Sequence, residues 1–241
     1  MIRAGALGLQ WLILQLARYW YAAALLCAFI ILGLAFLAPA LMAAHQPEAA
    51  RTVYGWLAPH DHQLPQRSYF LFGRQGPVQS YSLEQLQAWG AGPHNLRAFV
   101  GNPDIGFKMG MNHRMTAAFA AIFGGGLLWG LARQRPRPGP GWFLLLTLPL
   151  LVDGFSHRFS EMSGAGFRAD NGWAATLTGG AFADSFYRGD AVGSLNWLLR
   201  TVTGLAFGLG LVWFLFTYLS VRFYAARLKL EPKLRRAGVI K

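Results

Sequence analysis

Residues 19–42 read YWYAAALLCAFIILGLAFLAPALM, a run with no charged side chain. As a helix it would be about 36 Å long, enough to cross an apolar bilayer core of about 30 Å. Its entry is marked by Arg18 and the Tyr19-Trp20-Tyr21 triplet, a combination that sits at headgroup level. Leu7–Ala17, just before it, is also apolar and reads as an interfacial turn of helix. The whole run 7–43 is too long for the apolar region of a cleaved signal peptide. Pro39 lies near the far end, where a kink or stop is tolerated.

Working outward, two further stretches have the same character. Met115–Ala132 carries Gly124, Gly125, Gly126 and Gly130, a small-residue face for close helix packing. Leu195–Val221 is the last long apolar run. Between them, Trp142–Val152 is apolar over only eleven residues. To cross, it must continue through Asp153, Gly154, Phe155, Ser156 and His157; a re-entrant segment is the alternative. The expectation is an all-α membrane protein, a single domain 1–241 built as a four-helix bundle with spans near 19–42, 115–132, 142–157 and 195–221. Two outer loops, 44–112 and 158–194, carry short helices. Ser82–Trp89, capped by Ser80 or Ser82, and His94–Val100 are the helices expected in the first loop.

Composition supports this layout. The chain has 241 residues, 54% hydrophobic and 13% charged, about half the charge of an ordinary soluble domain. The net charge of +12 is unevenly spread. Seven basic residues fall in the tail 222–241, and Arg133, Arg135 and Arg137 crowd the linker 133–141. Basic clusters beside apolar spans mark cytoplasmic segments facing anionic lipid rather than nucleic acid. With both termini and that linker inside, only Glu231 of the ten acidic residues is cytoplasmic. The expected location is therefore the inner membrane, multi-pass, with both termini in the cytoplasm. Cys27 is the only cysteine, so an intramolecular disulfide or a cysteine-based zinc site is excluded.

Polar residues gather where the loops meet the helix ends. Asp153, His157 and Glu161 follow an i, i+4, i+8 spacing and share one helix face. A carboxylate, an imidazole and a second carboxylate so arranged suit a divalent metal or a proton relay. They equally suit a buried ion-pair face answered by Arg158, Arg168 or Arg200. Asn196 and Arg200 repeat the i, i+4 spacing, and Gly204 and Gly208 extend that face. An arginine at that depth needs an acidic partner, with Asp153 the first choice. In His60-Asp61-His62 an extended backbone turns the two histidines to one side and Asp61 to the other. Lys108, His113 and Arg114 bring positive charge to the start of the second span. There they either neutralise the carboxylates or meet anionic headgroups. No Gly-x-Ser-x-Gly, His-Glu-x-x-His or Gly-Lys-Ser/Thr motif is present.

Four segments in order resemble a family of bacterial and archaeal membrane proteins whose activity is uncharacterised. The first is Asp61-His62-Gln63-Leu64-Pro65-Gln66-Arg67-Ser68-Tyr69-Phe70-Leu71-Phe72-Gly73, similar to the family's Cys-His-Gln-x-Pro-Glu-Arg-Ser segment. The second is Gly106-Phe107-Lys108 through Asn112-His113-Arg114, and the third runs from Pro149 to Asp153-Gly154. The fourth, Gly193-Ser194-Leu195-Asn196 through Arg200, Thr203 and Gly204, resembles the family's Ser-x-Asn-x-x-x-Arg-x-x-Thr-Gly. The resemblance spans roughly 60–219. It implies a shared site built from Arg67, Lys108, Arg114, Asp153, Asn196 and Arg200. Where the family has motif cysteines, this chain has Asp61 and Asn112, so thiol chemistry is lost.

These features give the expectation of a non-catalytic accessory subunit of a multi-subunit membrane complex of respiratory or photosynthetic type. Its partners would be the bilayer and other membrane subunits, and its aromatics would touch a partner's quinone or pigment. The alternative is a metal-binding protein or enzyme at the outer face, with a divalent ion held by His62, Asp61, His157 and Glu161. A small transporter is third; it would need polar residues at mid-membrane depth.

Overall fold

The computed structural model describes residues 2–92, 94–132 and 139–241. The arginines of the 133–137 linker lie outside the described residues. Most of the chain is helical, and three helices are long and apolar enough to cross a membrane.

The first helix, α1 (Ile2–Ala43), is unbroken. At 1.5 Å per residue it is about 63 Å long. Leu7–Ala17 is therefore not a separate interfacial turn but the same helix continued, because its one weak helix former is Gly8. A second helix, α2 (Pro47–Leu57), follows after a short turn and starts with proline at its first position. Ala50, Val53, Tyr54 and Leu57 form its buried face, at i, i+3, i+4, i+7 spacing.

The segment after α2 corrects the all-α expectation. It forms β1 (Ser68–Gly73), β2 (Gly76–Gln79), β3 (Gly101–Asn102) and β4 (Gly106–Asn112). They make one antiparallel sheet in the order β2-β1-β4-β3. Short helix α3 (Leu83–Ala88) lies between β2 and β3. It is capped by Ser82, with Gln85 completing a capping box. The helix expected over His94–Val100 is absent, and the described residues there make turns. The strands escaped notice because β4 is buried on both faces and shows no alternation. Its glycine at 110 lets α1 and α2 pack directly on it; a Cβ there would lie 2.5 Å from the Leu57 side chain. Ala35, Ala38, Val53, Leu71 and Met109 fill the resulting core.

β4 runs without a break into α4 (His113–Leu131), with Asn112 as N-cap. Next come α5 (Pro140–Met162) and the short helices α6 (Phe167–Asp170), α7 (Gly172–Leu177) and α8 (Asp184–Tyr187). The chain ends in α9 (Leu195–Leu211), joined through one π turn (Val212–Phe216) to α10 (Thr217–Arg236). α4 and α9 run side by side in the same direction, with Gly204 and Gly208 against the backbone of Arg114 and Ala118. α1 runs antiparallel to both. At the end away from the sheet, Trp20, Tyr21, Trp129 and Phe216 form an edge-to-face aromatic cluster. Beyond it, among the described residues, α1 and α10 continue as a two-helix stalk tied by Arg18 to Glu231 at 3.0 Å. Both chain ends thus lie at the same end of the bundle.

Candidate functional site

The polar residues singled out from sequence mostly converge at the sheet end of the bundle. Asp153 projects from α5 and is 5% exposed at its side chain. Its Oδ2 accepts from Arg114 on α4, and its Oδ1 accepts from Arg168 on α6 at 2.5 Å. One turn on, His157 lies between two guanidiniums. Its Nε2 is 3.0 Å from Arg168 Nη2 and 3.1 Å from Arg200 Nη2. A guanidinium has no acceptor, so Nε2 must be the unprotonated nitrogen, accepting from both.

Arg200, first matched with Asp153, pairs instead with Asp190, whose Oδ1 accepts at 2.6 Å. Asp190 belongs to the second loop, which α6–α8 fold back over the end of α9. Nothing in the linear sequence sets that return. The other oxygen of Asp190 accepts from Arg67 at 3.2 Å. Burial opposes ionisation of Asp190, but Arg200 and Arg67 outweigh it and hold the carboxyl at about 2, below its ordinary value of 3.8. Glu161 accepts from Arg67 Nη2. Asn196 pins the same loop to α9, donating to the carbonyls of Arg168 at 2.6 Å and Gly189 at 2.9 Å. Its Oδ1 accepts from Asn171, a fully buried side chain on a left-handed backbone. Asp190 and Asn171 were not among the site residues expected from sequence.

The metal set His62, Asp61, His157 and Glu161 is not brought together. Asp61 turns inward, where its carboxylate accepts from the backbone N–H of Gln63 at 2.7 Å and of Asn112 at 2.9 Å. Asp61 and Asn112 are thus direct neighbours. Among the described residues no group of three His, Cys, Asp or Glu side chains could hold a metal ion.

Lys108 also lies apart from the cluster, buried in the sheet lobe on β4. Its Nζ donates to the carbonyls of Gln63 at 2.9 Å and Arg97 at 2.5 Å. Burial pushes this ammonium down from 10.5 to about 7. Between those values the unfolded lysine holds a proton that the folded one has released, so stability increases with pH. The melting temperature is expected to rise from about pH 7 to about pH 10, and that rise to vanish in Lys108→Met. A wild-type curve that is flat or falling over this window would show that Lys108 stays charged.

A cavity of about 320 Å³ opens beside the ion pairs. It is lined by Arg67, Arg114, Arg158, Arg200, His62 and His157, and by Leu150, Leu151 and Phe155 of α5. No family model, curated protein or solved structure matches the chain.

Proposed function

We propose that the chain is a non-catalytic accessory subunit of a multi-subunit membrane assembly, of respiratory or photosynthetic type. It crosses the inner membrane four times, with both termini in the cytoplasm. α5, about 35 Å long, supports the fourth crossing. Its Leu144, Leu145, Leu148, Val152 and Phe155 are exposed, as lipid-facing residues are. The basic residues of α10 support the orientation.

The observation that carries the reading is the stalk face of α1. Leu9, Leu12, Ile13 and Leu16 are 60%, 58%, 40% and 55% exposed. Their spacing puts them on one stripe that runs past the ends of α4 and α5, where α10 covers only the opposite side. An uncovered apolar stripe of this kind suits another protein's helix. The carboxylates of the 153–161 face are already matched by arginines, and the polar groups stay at one end of the bundle. Both points support a structural rather than a catalytic or transport role.

The test is purification from native membranes in mild detergent, with and without Leu12→Asp and Leu16→Asp. Stoichiometric partner chains are expected with the wild type and lost in the variant, with the melting temperature unchanged. A wild-type protein that runs alone, whatever the variant does, would refute the proposal.

A further inference from the structure

We propose that the cavity beside Asp153 and His157 binds a phosphate oxyanion, most suitably the headgroup of an amphiphile lying along α5. The first ground is charge. Five guanidiniums, those of Arg67, Arg114, Arg158, Arg168 and Arg200, lie in or against the cavity. Only three carboxylates answer them: Asp153, Asp190 and Glu161. His157 accepts from two of the arginines and so adds no negative charge. The cluster keeps about two unmatched positive charges, one of them on the exposed Arg158, and an anion is their natural complement.

The second ground is unused donors. Arg114 Nε is buried without a hydrogen-bond partner. Arg158 and His62 line the cavity, and neither makes a hydrogen bond or ion pair with the described residues. Arg200 is 3% exposed at its side chain, so its charge is held in place rather than solvated. Arginine forks match phosphate geometry, and a phosphate offers them three oxygens where a carboxylate offers two.

The third ground is shape. A volume of about 320 Å³ is larger than inorganic phosphate needs and is at the low end for small-molecule sites. Its apolar lining is Leu150, Leu151 and Phe155, and the last two are 44% and 70% exposed. A phosphate seated on the arginines would leave an attached alkyl chain against this apolar wall. A bare ion would leave the wall unused. The chemistry shared by both sources is the phosphate, and the wall favours the lipid.

The probes are dioctanoyl phosphatidic acid, inorganic phosphate and dioctanoyl glycerol as the uncharged control, titrated into the full-length protein in dodecyl maltoside. Saturable binding of the phosphatidic acid is expected, weakened about tenfold or more in Arg158→Gln with His62→Ala. Both substitutions leave every ion pair of the cluster intact, so an unchanged melting temperature separates lost binding from lost folding. If inorganic phosphate binds about tenfold more weakly, the lipid is the source; if it binds equally well, the site reads a soluble phosphate. The proposal is overturned if neither phosphate saturates, if the uncharged lipid binds as well as the phosphatidic acid, or if the double variant binds unchanged.

Discussion

Asp153→Asn is expected to cost about 3–5 kcal/mol of stability, the usual price of leaving buried charge without its partner. The carboxylate serves Arg114 and Arg168 at once, and Arg168 has no other ion-pair partner among the described residues. At 7% side-chain exposure, that guanidinium cannot recover its hydration where it stands. The amide keeps the shape of the carboxylate and accepts a hydrogen bond, so the loss reports charge rather than packing. Thermal unfolding in detergent measures it, and a second variant tests the cause. Arg168→Met in the Asp153→Asn background should recover much of the loss, since replacing a whole buried pair by apolar groups is often close to neutral. An additive double variant would mean that the two residues are not coupled. Glu161→Gln is the contrast. Glu161 is 45% exposed and Arg67 keeps Asp190, so the expected cost is at most about 1 kcal/mol.

The contrast also shows what linear sequence can say about such a site. Asp153, His157 and Glu161 were recognisable because helical spacing puts them on one face, and α5 is continuous through all three. That spacing carried no information on how deep each would lie. Asp153 and His157 are buried with arginine partners from other elements, while Glu161, one turn on, reaches the surface. Their partners come from four separate places: Arg114 on α4, Arg168 on α6, Arg200 on α9 and Arg67 before β1. Only Arg200 and Arg114 sat on legible helices. Asp190 stands in a loop of glycines and small residues whose path depends on Asn171 and Asn196 meeting side chain to side chain. Loop closure of this kind leaves no periodic trace.

The fold divides in the same way. Long apolar runs announced α1, α4 and α9 because bilayer-length hydrophobicity is a strong signal in a single sequence. The sheet gave weak signals. β1 and β4 are rich in Phe, Met and Gly, and their cover by α1 and α2 removes the polar alternation that marks a half-buried strand. The 42-residue length of α1 was also masked. Arg18 looks like a headgroup anchor and a natural boundary, yet it is held by Glu231 of the antiparallel α10. A charge that pairs across a stalk and a charge that snorkels to a headgroup are the same letter in sequence.

Gly204→Leu and Gly208→Leu are expected to prevent the two parallel helices α4 and α9 from meeting. A Cβ alone at Gly204 would lie 2.5 Å from the carbonyl oxygen of Arg114, and at Gly208 it would lie 2.5 Å from that of Ala118. These obstacles are backbone, so no rotamer change relieves them and the helices must part. Ordinary overpacking costs about 1–3 kcal/mol; a whole leucine against backbone should exceed that and abolish the folded state in detergent. The geometry of close glycine contacts, rather than glycine as such, decides the outcome. Gly124 sits on α4 among the same small residues, but a Cβ there meets nothing within 4 Å. Gly124→Ala should therefore stabilise by up to about 1 kcal/mol through helix propensity alone. Gly204→Ala makes the same gain but must also overcome the 2.5 Å clash, so its sign is expected to be opposite. Because Arg114 and Arg200 stand within about one turn of that contact, parting the helices also moves the guanidiniums apart. A Gly204→Ala protein that melts lower and keeps full phosphate binding would mean that the cavity does not depend on the α4–α9 contact.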